Sequence, residues 1–161
     1  MPHKIIKLLI DYELTVSELY RSCAAAYPDH RGFFTELSEE EVGHASRIEL
    51  LALEAEAGFI EIDEDAFAVR PLEVSIEHAK DIKGRVEDNK INLLGVLSLA
   101  LDIESSLIEK EYHKVFRGDS MRFNDSIREI HMESEKHRRK ILELRDHMAE
   151  LSKPPVLERW D

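Results

Sequence analysis

Phe33-Phe34-Thr35-Glu36-Leu37-Ser38-Glu39-Glu40-Glu41-Val42-Gly43-His44-Ala45-Ser46-Arg47-Ile48-Glu49-Leu50-Leu51 is the stretch on which the reading of this chain turns. At about 100° per residue, Phe33, Leu37, Glu41, His44, Ile48 and Leu51 share one helical face, and Ala55 extends it. That face is apolar except at Glu41 and His44, which are consecutive inward positions. An unpaired carboxylate on a core stripe is strongly unfavourable, so something must compensate it.

The other long periodic segments share the feature. One inner stripe of the first segment reads Ile6, Ile10, Glu13, Ser17, Tyr20, Ala24. The third reads Leu94, Leu97, Leu101, Glu104, Ile108, Tyr112, Val115, with Glu104 inside an apolar seam. The last reads Phe123, Ile127, Ile130, Ser134, His137, Ile141, Leu144, Met148, broken at Ser134 and His137. A single buried Glu is commonly an ion-paired or hydrogen-bonded carboxylate. Polar groups at mid-height on four helices point to a shared centre.

Breakers at Pro28–Gly32, Arg70-Pro71, Asp88–Lys90 and Arg117–Ser120 divide the chain. They predict helices over about 3–27, 30–58, 73–87, 92–117 and 121–150, in one all-α domain of residues 1–151 followed by a tail, 152–161. Strand alternation is nearly absent. The first and last connections are short and make antiparallel hairpins, and the middle one is long and carries its own helix. Two hairpins joined by one long crossover describe a ferritin-like four-helix bundle rather than an up-down-up-down one. In that arrangement Glu13, Glu41, His44, Glu104, Ser134 and His137 lie about 12 to 18 residues from their hairpin turns. At about 1.5 Å per residue their heights differ by only a few ångströms. Carboxylates and imidazoles converging in a bundle interior suit iron, manganese or zinc. The metal-free alternative is a polar network, Glu to His and Glu to Tyr, that sets bundle register.

Composition narrows the function classes. The 161 residues carry 22 Lys and Arg against 34 Asp and Glu, a net charge of −12, which argues against nucleic-acid binding and a polybasic membrane surface. No apolar run reaches the roughly 18–20 residues of a membrane span. The N-terminal stretch, interrupted by Lys7 and followed by Asp11 and Glu13, does not read as a signal peptide. The one cysteine, Cys23, cannot build a disulfide framework or a four-cysteine iron site. A cytoplasmic location is the expectation.

These residues resemble the rubrerythrin-like proteins of the ferritin-like superfamily, over about residues 5–150. Glu13 and Tyr20, seven apart, are similar to that family's Glu-x6-Tyr, and Glu41-Val42-Gly43-His44 to its first Glu-x-x-His. Glu104 and Tyr112, eight apart, resemble the third-helix Glu and its companion Tyr. The stretches Phe33–Leu51 and Ile103–Lys110 also resemble small members of the family. The resemblance implies a two-iron centre, with manganese or zinc as substitutes. Glu13, Glu41 and His44 would hold one ion; Glu104 and His137 would hold the other, with Glu41 as a bridge. Tyr20, Tyr112 and Ser134 would flank these ligands. The implied activity is reduction of peroxide or O2, in a homodimer.

Two departures bear on that picture. The second motif reads Ser134-Glu135-Lys136-His137 where Glu-x-x-His is expected, so one carboxylate is missing. Glu133 and Glu135 each lie about 100° away round the helix, Glu133 nearer the inner face. The rubredoxin-like four-cysteine domain of full-length rubrerythrins is also missing, so electrons would come from another protein or a small reductant. Three readings follow: an oxidoreductase, a metal-binding or iron-handling protein without turnover, and a metal-free helical interaction module.

Overall fold

The chain turns where its breakers lie. In the computed structural model, which describes residues 3–65, 69–106 and 111–155, the secondary structure is almost all helical. Helix α1 (Lys4–Ala26) meets α2 (Arg31–Glu56) through a single 3-10 turn, Pro28–His30. A crossover follows, with strand β1 (Glu61–Ile62) and helix α3 (Val69–Glu87). Then come α4 (Leu93–Glu104), the short α5 (Tyr112–Val115), strand β2 (Phe116–Arg117) and α6 (Met121–Leu151). Two of the starts are capped by side chains that satisfy otherwise orphaned backbone donors. Asn92 Oδ1 accepts from Gly95 N at 2.8 Å, and Ser120 Oγ accepts from Phe123 N at 3.1 Å.

Cross-helix pairs fix the directions. Ser17 faces Ser38, and Glu13 faces His44, so α1 and α2 are antiparallel. Arg47 reaches Glu129, His44 reaches Glu133 and Lys140 reaches Glu36, so α2 and α6 are antiparallel too. Tyr20 donates to Glu104 and Tyr112 to Glu13, so the segment from α4 to α5 runs opposite to α1. Helix α3 runs beside α1 in the same direction, with Lys4 near Glu73 and Ser22 Oγ donating to Glu87 at 2.8 Å. It therefore returns the chain to the level where α1 ends, and there Tyr27 Oη donates to Ile91 O at 3.0 Å. From that level α4 runs back down, packed against α6.

The core follows the apolar stripes. Ile5, Leu9, Leu19, Phe34, Leu37 and Ile48 are buried between α1 and its neighbours, and Leu97, Ile130 and Ile141 belong to the same cluster. Leu72, Ile76, Ala79, Ile82 and Val86 form the buried stripe of α3. Among the described residues, no helix is long and apolar enough to cross a membrane.

Three expectations change. Helix α3 starts at Val69 rather than near 73, because Pro71 sits in its first turn, where a missing N–H removes no intrahelical bond. The helix expected over 92–117 ends at Glu104. In an unbroken helix the eight residues from Glu104 to Tyr112 would turn Tyr112 about 80° off the face of Glu104, whereas the seven from Glu13 to Tyr20 leave only about 20°. Ending α4 at Glu104, before Ser105 and Ser106, lets both side chains face α1. Residues 107–110, which include the expected stripe position Ile108, lie outside the described residues, as does 156–161 of the expected tail. Finally, Phe116 and Arg117 leave the helix to form a strand: Glu61 pairs with Arg117 and Ile62 with Phe116, antiparallel.

Gly118 follows this pairing at a close approach. A Cβ there would stand 2.7 Å from Ile60 Cγ2, and Ile60 is itself 4% exposed. Gly118→Ala should therefore destabilise the fold by about 1–3 kcal/mol, read as a lower urea midpoint with unchanged slope. An unchanged midpoint would show that this junction yields without strain.

Candidate metal centre

The five side chains expected as ligands come together. Glu13, Glu41, His44 and His137 are 0–1% exposed and Glu104 is 8%. They form two groups, Glu13–Glu41–His44 and Glu41–Glu104–His137, in each of which one donor atom per residue lies within 4.8 Å of the others. Glu41 belongs to both. Its Oε2 is 3.1 Å from His44 Nδ1, and its Oε1 is 3.0 Å from His137 Nδ1. Glu13 Oε2 is 3.6 Å from His44 Nδ1, and Glu104 Oε2 is 3.7 Å from His137 Nδ1. The two imidazoles stack with centroids 5.6 Å apart and planes 22° from parallel. Each imidazole thus presents Nδ1 to its own pair of carboxylates.

The convergence has a local cause in each helix. Glu41 and His44 sit three apart on the inner face of α2, so their side chains project together. Glu104 closes α4, and its carboxylate meets Tyr20 from α1. Tyr112 Oη donates to Glu13 Oε1, and Tyr20 Oη donates to Glu104 Oε1. The two tyrosines flank the centre as expected, each steadying a carboxylate on a different segment. Burial, together with the negative charges of Glu104 and Glu41, pushes the Tyr20 phenol well above its ordinary value, so it stays protonated and donates.

Electrostatics in this interior are strong. Burial pushes the His137 imidazole towards neutrality, but Glu104 and Glu41 beside it reverse that, and its pKa is raised to about 11. Burial opposes ionisation of Glu41 as well, and His137 and His44 overcome it, holding Glu41 below the usual carboxylate range. Glu41 Oε1 and His137 Nδ1 nevertheless have no hydrogen-bond partner, although only 3.0 Å separates them. Two strong donor atoms facing each other without a mutual hydrogen bond fit joint ligation of a cation. The donor set, three carboxylates and two imidazoles, suits iron, manganese or zinc.

Ser134 is buried at the same level but turned aside: its Oγ donates to Ile130 O at 2.8 Å, a bond to its own helix. Glu133 does not take its place. Glu133 Oε2 is 2.8 Å from His44 Nε2 and 2.9 Å from Arg47 Nη1. Burial raises the Glu133 pKa, but Arg47 and His44 lower it further, so the net shift is downward. On the other side, Glu40 contacts His137 Nε2 and lies 3.5 Å from Lys136 Nζ. The contacts of Glu40 and Glu133 were missed in the sequence, although each precedes a histidine by four positions.

Glu18, His78, His113 and His147 are exposed, and His3 pairs with Glu64 near the surface. Cys23 is buried, and its thiol is pushed up to about 12 by that burial, as for a small core residue rather than a reactive one. No protein-family model, curated protein or solved structure matches this chain. The reading of function therefore rests on the residues and their geometry.

A metal at His137 must displace a proton. The imidazole titrates at about 11 when folded and metal-free, against an ordinary 6.5, so at neutral pH it is a cation. Apparent zinc affinity should therefore rise with pH, by about tenfold per unit between pH 6.5 and 8 for the ion that engages His137. Competition against a chelator measures this, and a flat profile would contradict it.

Proposed function

We propose that this chain is a di-metal carboxylate protein of rubrerythrin-like type, loaded with iron in preference to manganese or zinc, that reduces peroxide or O2. The observation that carries the reading is the pair of buried Glu/His groups joined through Glu41. The helix directions support a ferritin-like bundle: α2 and α4 run opposite to α1, α6 runs with it, and α3 provides the crossover. Glu13, Glu41 and His44 would hold one ion; Glu41, Glu104 and His137 would hold the other. When bound, the metal pair supplies the electrons that reduce the oxidant, drawn in turn from a separate donor protein or small reductant.

The chain's own groups define the setting of that chemistry. Tyr20 and Tyr112 hold one oxygen each of Glu104 and Glu13, leaving the other to face inward. Ser134 leaves the second group one carboxylate short, and an incompletely filled coordination sphere is what an incoming ligand needs. The same shortage favours a second reading, metal holding or iron handling without turnover, because it weakens the second site.

Loading with ferrous iron under anaerobic conditions, then elemental analysis of the parent and Glu41→Ala, tests the reading. We expect about two irons per chain in the parent and a near-complete loss in Glu41→Ala. Rapid mixing with peroxide should oxidise the bound iron at least tenfold faster than ferrous iron in buffer. Two irons without that acceleration would favour the second reading. No metal in the parent after exposure to iron, manganese and zinc would leave a bundle with a polar interior and overturn both.

A further inference from the structure

The two histidines are embedded in matching surroundings that cross between helices. On α2 the residues run Glu40-Glu41-Val42-Gly43-His44, and on α6 they run Glu133-Ser134-Glu135-Lys136-His137. In each run a Glu stands four positions before the His. That Glu does not contact its own histidine in the pairs described above; it reaches the other helix's. Glu133 Oε2 lies 2.8 Å from His44 Nε2, and Glu40 Oε2 contacts His137 Nε2. Each of these carboxylates also has a cation: Arg47 at 2.9 Å from Glu133 and Lys136 at 3.5 Å from Glu40. Arg47 is itself held on its second nitrogen by Glu129 at 3.0 Å.

We infer that Glu40 and Glu133 are positioning residues, each fixing the ring of the histidine on the opposite helix so that Nε2 carries the proton and Nδ1 faces the centre. The inference rests on the metal reading above. An ionised carboxylate can only accept, so the nitrogen facing it must be the N–H. Nδ1 of each ring also faces a carboxylate, Glu41 at 3.1 and 3.0 Å, so the choice between the two nitrogens is made by the ion: a cation at the centre takes the Nδ1 lone pair and leaves the proton on Nε2. A carboxylate on the far nitrogen also makes the ligating nitrogen more basic and holds the ring plane. Arg47 and Lys136 complete two parallel relays, each running from a cation through a carboxylate to an imidazole.

The crossing makes a prediction that a general stabilising role does not. Glu133 is on α6, the helix of His137, yet its loss should disturb His44 and the ion held by Glu13, Glu41 and His44. Glu40 is on α2, and its loss should disturb His137 and the ion held with Glu104. The ring protons can be read directly in zinc-loaded protein carrying 15N-labelled histidine. The parent should show two slowly exchanging Nε2–H signals, with His44 and His137 both ligated through Nδ1. Glu133→Ala should lose the His44 signal alone, and Glu40→Ala the His137 signal alone. Cobalt titration, followed by visible absorption, should show one of the two equivalents weakened by about 10–100-fold in each variant and the other held within about threefold. Glu129→Gln, which removes a partner of Arg47 without touching either ring, should leave both signals in place and serves as the control for helix packing.

Two protected signals and both cobalt affinities unchanged in Glu133→Ala and Glu40→Ala would overturn the inference while leaving the metal reading standing. Equal loss of both signals in each variant would also overturn it, by showing a structural role. A parent that takes up neither zinc nor cobalt would overturn the metal reading and this inference with it.

Discussion

Glu41 lies between two imidazoles with 1% of its surface exposed, one oxygen towards each ring. A carboxylate removed this far from water is tolerated only where opposite charge and hydrogen bonds surround it. Much of the arrangement of the bundle can be read as the answer to that constraint. His44 must come from the same helix face, three positions on. His137 must arrive from α6 at the same height, which the antiparallel pairing of α2 and α6 provides. Glu13 and Glu104 then add further negative charge beside the rings, and His137 is held protonated in response when no metal is bound.

The neighbouring tyrosines show how the interior stays ordered around so much charge. Tyr20 and Tyr112 come from segments running in opposite directions, and each hydroxyl crosses to the carboxylate of the other segment. Both are fully buried, so each ring fills core volume while its hydroxyl satisfies a polar atom that would otherwise be costly. Ser17 and Ser38 form a smaller example one level away, with their hydroxyl oxygens 2.9 Å apart across α1 and α2. These contacts tie helix register to the height of the centre.

Much of this was legible in the sequence because helical periodicity and burial speak the same language. A Glu or His at a core position is conspicuous in a stripe such as Leu97, Leu101, Glu104, and the five residues found that way do converge. The end of α4 was not legible from the stripe, because Tyr112 and Val115 continue an apolar pattern. The short β1–β2 pair was invisible because two residues carry no alternation. The contacts of Glu40 and Glu133 with the histidines were missed for a different reason. Both sit one position off the inner stripe, where a charged residue looks solvated, and only a partner on another helix reveals what each one does.

That two-residue strand pair has a consequence for the order in which the centre comes together. Glu61 and Arg117 are 56 positions apart, so joining them closes a large loop containing α3, α4 and α5. Glu13 and His44 are only 31 positions apart and meet within a single hairpin, whereas Glu41 and His137 are 96 apart. Contacts close in sequence form with less loss of chain entropy than distant ones. One half of the donor set is thus local to the first hairpin, and the other half waits on the closure of most of the chain. The two donor groups sit side by side in space while belonging to opposite ends of the folding sequence.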